Sequence, residues 1–217
     1  MFIGHFGVGF AGKKAAPTVS LGTLILAAEL VDFLFPLFVL LGLEDLRLDP
    51  GNTAMMPFDF YKYPFTHSLA TGIGWAIALG LLYFAYRRSR RGAAVVGVVV
   101  LSHWVLDWIT HRPDMPLWPG GPKVGLGLWN SVAGTVVVEG AIFVLGVGVY
   151  LYATRARDRV GRWALWSLVA FLVVIYALNA AASPPSNAGA FAWVGLAAWL
   201  FVPWGYWIDR HRVPARP

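Results

Sequence analysis

Six stretches of the chain are apolar almost without interruption: residues 18–42, 66–86, 93–111, 131–153, 163–182 and 190–208. Each comes close to the roughly 17–25 residues that a helix needs to cross the hydrocarbon core of a bilayer. A lipid-exposed segment must satisfy its own backbone hydrogen bonds, so helix is the expected state of all six. A seventh apolar stretch, 2–11, is too short to span and is expected to be interfacial or re-entrant. The fold class predicted is an all-α, polytopic transmembrane bundle of about six spans plus this short N-terminal helix. It forms a single integral membrane domain over residues 1–217, with any site in the core of about 1–140 and accessory spans at about 163–208.

The polar residues between the spans sort by charge. Lys13 and Lys14 precede the first span, and Arg87, Arg88, Arg90 and Arg91 join the second to the third. Arg155, Arg157, Arg159 and Arg162 join the fourth to the fifth, and Arg210, Arg212 and Arg216 end the chain. These thirteen of the 17 basic residues share one face of a six-span arrangement, and only Arg47, Lys62, Arg112 and Lys123 lie on the other. The positive-inside rule then places both termini in the cytoplasm. Two long connections fall outside. Residues 43–65 hold four acids and an Asp49-Pro50-Gly51-Asn52 turn signal. Residues 112–130 are too rich in Pro and Gly for a regular helix, and Trp118 and Trp129 suit the headgroup zone. That segment reads equally well as a structural interfacial loop and as the rim of a lipid-facing site.

Composition agrees: 58% of residues are hydrophobic and 13% charged, with a mean hydropathy of +0.63, where soluble domains carry about 25% charged residues. The net charge of +6 sits in short loops and not along a phosphate-tracking stripe, so no nucleic-acid partner is expected. There is no cysteine, which excludes disulfides, thiolate metal sites and cysteine nucleophiles. The lysines follow the first apolar stretch instead of preceding it, unlike a signal peptide. Gly7-Val8-Gly9-Phe10-Ala11-Gly12 spells GxGxxG, but no strand precedes it and no βαβ pattern follows, so a dinucleotide site is rejected.

The chemistry lies inside the apolar stretches. A carboxylate at the centre of a membrane helix costs about 2.5–3.5 kcal/mol on insertion scales, and the spans hold four acids: Glu29, Asp32, Asp107 and Glu139. In LSHWVLDWITH, His103, Asp107 and His111 recur every four residues and drift only about 40° per step around a helix, forming one ligand edge. Helical rise places Asp32, Asp107 and Glu139 at a similar depth in the outer half of the membrane. His67 opens the second span on that side, with Thr66 as its expected N-cap. No lysine or arginine lies within a span, so metal ions or protons must compensate these acids, and His and carboxylate donors suit a divalent metal such as zinc. Glu29 shares a helix face with Asp32. A re-entrant N-terminal helix would lift His5 about 13 Å from Lys14 toward the cluster. His211, among the C-terminal arginines, is expected to be solvated or to face the headgroups.

Several of these residues occur in a recognisable order: Gly4-His5, an acid followed by Pro36 in the first span, Phe65-Thr66-His67-Ser68, Ser102-His103-x-x-x-Asp107, then Met115-Pro116-Leu117-Trp118-Pro119. Over roughly residues 1–130 the chain resembles the inner-membrane-associated, metal-dependent hydrolase family often labelled LexA-binding, itself distantly similar to zinc-dependent phospholipase C and the S1/P1 nucleases. The resemblance implies a helical fold holding zinc for hydrolysis of phosphate esters, with His5, Asp32, His67, His103 and Asp107 as metal ligands. Glu29-Leu30-Val31-Asp32 departs from the family's Pro-Asp-x-Asp setting. Only His111 and Glu139 stand where the soluble enzymes' later ligands would be, so one or two ions are expected and not three. Glu29, His111 and Glu139 are additional metal or catalytic candidates, and Arg112 and Lys123 are candidate substrate contacts. The expected function is a membrane-embedded metal-dependent hydrolase acting near the outer face on a membrane lipid or another small phosphate ester. The alternative is a proton- or metal-coupled transporter, against which no internal repeat or matched pair of broken spans stands out.

Overall fold

The structure is a computed structural model that describes residues 1–181, 185 and 187–215; Arg216 and the last residue of the expected 163–182 span lie outside the described residues. The apolar segments fold as α1 (Ile3–Ala15), α2 (Leu21–Ala28), α3 (Leu30–Leu40), α4 (Leu69–Arg87), α5 (Arg90–Thr110), α6 (Val132–Ala153), α7 (Arg159–Ala181), α8 (Ala188–Leu196) and α9 (Phe201–Arg210). Helices α4 to α7 are each long and apolar enough to cross a bilayer. So is the run from α8 through a 3-10 turn at Ala197–Leu200 into α9, while α2 and α3 make a sixth span only as a pair. Leu81, Leu82, Val98, Val137, Val144 and Leu145 are each more than 60% exposed, an apolar surface that requires lipid around it. The chain is a polytopic helical bundle.

The first span departs from the expected continuous 18–42 helix. Its halves meet at Glu29 with a bend of 55°. The bend lies seven residues before Pro36, whose missing N–H would have served the carbonyl of Asp32, so proline does not cause it. Packing holds it instead. Ala28 offers one of the last carbonyls of α2, which lack intrahelical partners, and His103 donates to it through Nδ1 at 2.7 Å.

Helix α1 extends past the expected 2–11 to include both lysines. It then doubles back through residues 16–20 into α2, where Ser20 caps by accepting from Thr23 N at 3.2 Å. Most of α1 is buried, and its glycines make that feasible. A Cβ on Gly7 would stand 2.6 Å from the Ile142 carbonyl of α6, and one on Gly9 would stand 3.3 Å from the Leu24 carbonyl of α2. The GxGxxG letters therefore spell a helix-packing surface. Lys13 is itself buried, paired with Asp209 at 2.6 Å, and Lys14 lies over the Tyr152 ring.

Ser68, and not Thr66, caps α4, accepting from Thr71 N at 3.3 Å. The two long outer connections are more ordered than loops. β1 (Asp45–Leu48) pairs antiparallel with β2 (Phe58–Lys62), and β3 (Met115–Pro116) with β4 (Lys123–Val124). The Pro-Gly signal makes a turn inside the first hairpin: Asn52 N donates to Asp49 O at 2.9 Å and Gly51 adopts φ 96°. Beneath these hairpins Phe35, Phe58, Phe60, Tyr63, Met115 and Trp129 form an apolar cluster. Trp129 is thus buried, where a headgroup position was expected, while Trp118 is half exposed. At the other end of α6, β5 (Thr154–Ala156) pairs with β6 (Arg212–Pro214). There the partly exposed His211 donates to Asp158 at 2.8 Å.

Candidate metal centre

Four elements deliver side chains to one point. The second half of α5 supplies His103 and Asp107, one turn apart and almost fully buried. The N-terminal turn of α1 brings His5 Nε2 to 3.1 Å from Asp107 Oδ1, with the His5 and His103 rings stacked at a centroid distance of 3.7 Å. α3 supplies Asp32, and the segment before α4 supplies His67. Asp32 Oδ1 lies 3.1 Å from His67 Nε2 and 3.5 Å from His103 Nε2. Two ligand groups result, His5–His103–Asp107 and Asp32–His67–His103, each with its three donor atoms within 4.8 Å of one another, and His103 belongs to both. His111 caps the end of α5 with Nε2 3.9 Å from Asp107 Oδ2. The amino group of Met1 also rests against Asp107 Oδ1.

The far side of each ring decides which nitrogen faces the carboxylates. His103 Nδ1 meets the Ala28 carbonyl, which only accepts, so the proton is on Nδ1. His67 Nδ1 lies 2.7 Å from Thr66 Oγ1, whose single proton goes to Glu44 Oε2 at 2.7 Å, so His67 too donates from Nδ1. His111 Nδ1 donates to Asp114 Oδ1 at 2.9 Å. In the neutral form all three rings then turn a bare Nε2 lone pair toward carboxylate oxygens. His103 Nε2 is 3.1 Å from Asp107 Oδ2, with His67 Nε2 at 3.8 Å and His111 Nε2 at 3.9 Å from the same atom. Lone pairs converging on carboxylate oxygens repel unless a cation, either a proton on one of the rings or a metal ion, lies among them, and the Met1 amino group meets only the other oxygen, Oδ1. Burial opposes charge on Asp114, yet hydrogen bonds from His111 and Tyr63 outweigh it and hold the carboxyl below its usual range.

A protein-family model described as YdjM inner membrane protein matches residues 60–183, more than half of the chain. The chain belongs to the YdjM inner membrane protein family. With its candidate spans it is therefore a multi-pass inner membrane protein. No curated protein and no solved structure matches it. The YdjM match takes in His67, His103, Asp107, His111 and Glu139, whereas His5, Glu29 and Asp32 precede it.

The donor set fits a metal. Buried His103 Nε2, His5 Nδ1 and Glu29 Oε1 have no hydrogen-bond partner, and such atoms call for a ligand. The groups combine imidazole and carboxylate, the donors of zinc and its neighbours. Other candidates are engaged elsewhere. Glu139 Oε2 accepts from Phe2 N at 2.7 Å and Gly4 N at 3.5 Å, anchoring the positive end of α1 against α6. Arg112 pairs with Asp59 and, through Nε at 3.3 Å, with Asp114, while Lys123 donates to Tyr61 O at 3.2 Å. The sequence reading missed Glu44, Asp114 and Tyr63. Asp114, three residues after His111, carries a local spacing signal; Glu44, brought in from before β1, carries none.

Proposed function

We propose that this protein is a membrane-embedded, metal-dependent hydrolase of phosphate esters, with membrane lipid headgroups as the favoured substrates and one or two zinc ions as cofactor. The observation that carries the reading is the pair of ligand groups sharing His103, with three Nε2 lone pairs turned toward Asp107. When bound, such a metal polarises a phosphoryl oxygen and lowers the pKa of its water toward about 7.

The chain's own residues do the rest. Asp32 is 36% exposed at its side chain, against 5% or less for His5, His67, His103 and Asp107, so a phosphate approaches from the Asp32 side. The bundle around the other four excludes water. Glu29 Oε1 is buried and unpartnered next to the helix break, which makes it our candidate for taking the proton that hydrolysis releases. Arg112 is already paired with two carboxylates, which leaves neutralisation of the substrate to the metal.

A second reading, a proton- or metal-coupled transporter, draws on one feature. The α2–α3 span breaks beside the cluster and α1 begins at it, and discontinuous helices mark transport sites. Metal analysis of the purified protein, followed by assays on lipid, nucleotide and aryl phosphodiesters, separates the two. Hydrolysis that disappears with a chelator and returns with zinc supports the first. Metal or proton flux in liposomes with no ester turnover would establish the second.

A further inference from the structure

Two carboxylates behind the ligand cluster, Asp114 and Asp59, are fully engaged, and Asp114 aims a histidine that belongs to neither three-residue group. Asp114 Oδ1 accepts from His111 Nδ1 at 2.9 Å and from Tyr63 Oη at 2.9 Å, and Asp114 Oδ2 accepts from Arg112 Nε at 3.3 Å. Arg112 is held in turn by Asp59, and Asp59 by Arg47 at 2.6 Å, so the carboxylate is braced from the β1–β2 hairpin. The His111 ring is clamped between Trp129, at a centroid distance of 4.1 Å, and Phe60 and Tyr63 at 5.4 and 6.1 Å. Its free nitrogen, Nε2, points at Asp107 Oδ2 from 3.9 Å. A buried imidazole held by aromatic walls, with a carboxylate behind and a shared carboxylate ligand in front, is the arrangement in which an outer carboxylate fixes a metal-binding tautomer.

We infer that His111 is a further metal ligand of this centre and that Asp114, braced by Tyr63 and Arg112, is the positioning residue that turns its Nε2 inward. The inference rests on the metal-centre reading above, though not on the reaction. Asp114 touches neither metal nor substrate; it acts through His111. Removing it frees the ring to donate from Nε2, which puts the proton where the metal should bind.

Cobalt(II) binding to the purified full-length protein tests this without any assay of hydrolysis, because the visible bands of cobalt report coordination number and ligand type. Asp114→Ala should weaken cobalt affinity by roughly 10- to 100-fold and shift the bands, and His111→Ala should do the same. The double variant should be no weaker than His111→Ala alone, because the two residues form one unit. Asp114→Asn keeps an oxygen acceptor and should recover part of the loss. Tyr63→Phe, which removes only a hydroxyl, guards against a variant that fails to fold and should lose roughly 2- to 10-fold, less than Asp114→Ala because the Asp114–His111 bond remains. Wild-type affinity and spectrum in folded Asp114→Ala, or additive losses in the double variant, would overturn the inference while leaving the metal centre standing. Absence of cobalt binding in the wild type would overturn both, and cobalt binding without hydrolysis would count against the reaction alone.

Discussion

His103 belongs to both ligand groups, so its removal should differ in kind from the removal of its neighbours. If two ions bind, His5→Ala and His67→Ala should each lose one of them, since each residue serves one group. His103→Ala and Asp107→Ala should lose most of both, because Asp107 faces His5 through Oδ1 and the other imidazoles through Oδ2. His211→Ala, whose ring is engaged with Asp158, should keep the full complement. Elemental analysis of the purified variants reads this directly, and stoichiometric metal in His103→Ala would remove the basis of the assignment. The candidate ligands stood out in the sequence because ionisable groups in apolar spans are costly and therefore conspicuous. What stands behind them was not. Glu44 lies in a polar connection where an acid is unremarked, and only the fold places it against Thr66. Glu139 shows the reverse: an acid in a span suggested metal or catalysis, and the structure gives it to the amides of Phe2 and Gly4.

Element by element, the long spans were readable from length and hydropathy alone, whereas the break at Glu29 was not. Leu30-Val31-Asp32-Phe33-Leu34-Phe35 continues the apolar run without a glycine, and the stop comes from His103 taking the Ala28 carbonyl. The seat of α1 was likewise hidden in letters that looked like a nucleotide motif. A Cβ on Gly146 would collide with the backbone of Gly7, whereas one on Gly148 would meet open space. Gly146→Val should therefore destabilise the bundle by about 1–3 kcal/mol and weaken metal binding through His5, while Gly148→Ala should do neither; equal melting temperatures in detergent would contradict the packing argument. The β5–β6 clasp gives a pH test. Asp158 accepts from His211 and from Gly161 N, both at 2.8 Å, and the His211 bond chiefly holds its carboxyl below the usual 3.8. A carboxylate depressed in the folded state adds stability above the unfolded value and loses it as pH falls through the folded value. Asp158→Asn should thus melt slightly below the wild type at pH 7, and the gap should close below about pH 3.8. A gap that persists or widens in acid would show that the charge is not what holds the clasp.

At the scale of the whole molecule the remaining question is which way the bundle faces, and charge gives a testable prediction. The β5–β6 end carries Arg155, Arg157, Arg159, Arg162, Arg210 and Arg212, and the α4–α5 turn adds Arg87, Arg88, Arg90 and Arg91. The hairpin end carries Arg47, Lys62, Arg112 and Lys123, two of them already paired with acids. Lys13 is spent on Asp209 and contributes little to the asymmetry, yet the imbalance remains large. Insertion retains positively charged short loops in the cytoplasm, so we predict that the hairpins, and the approach to Asp32, face the opposite side. Met1 itself lies inside the bundle beside Asp107, so on the N-terminal side the cytoplasmic assignment attaches to the Lys13–Lys14 end of α1. The chain has no cysteine, so single substitutions can be read without background. Arg88→Cys and Arg157→Cys should react with a membrane-impermeant maleimide only after the cells are opened, whereas Lys62→Cys and Lys123→Cys should react in intact spheroplasts. Labelling of Arg88→Cys from outside would invert the protein and put the metal centre, with whatever substrate it takes, on the cytoplasmic side.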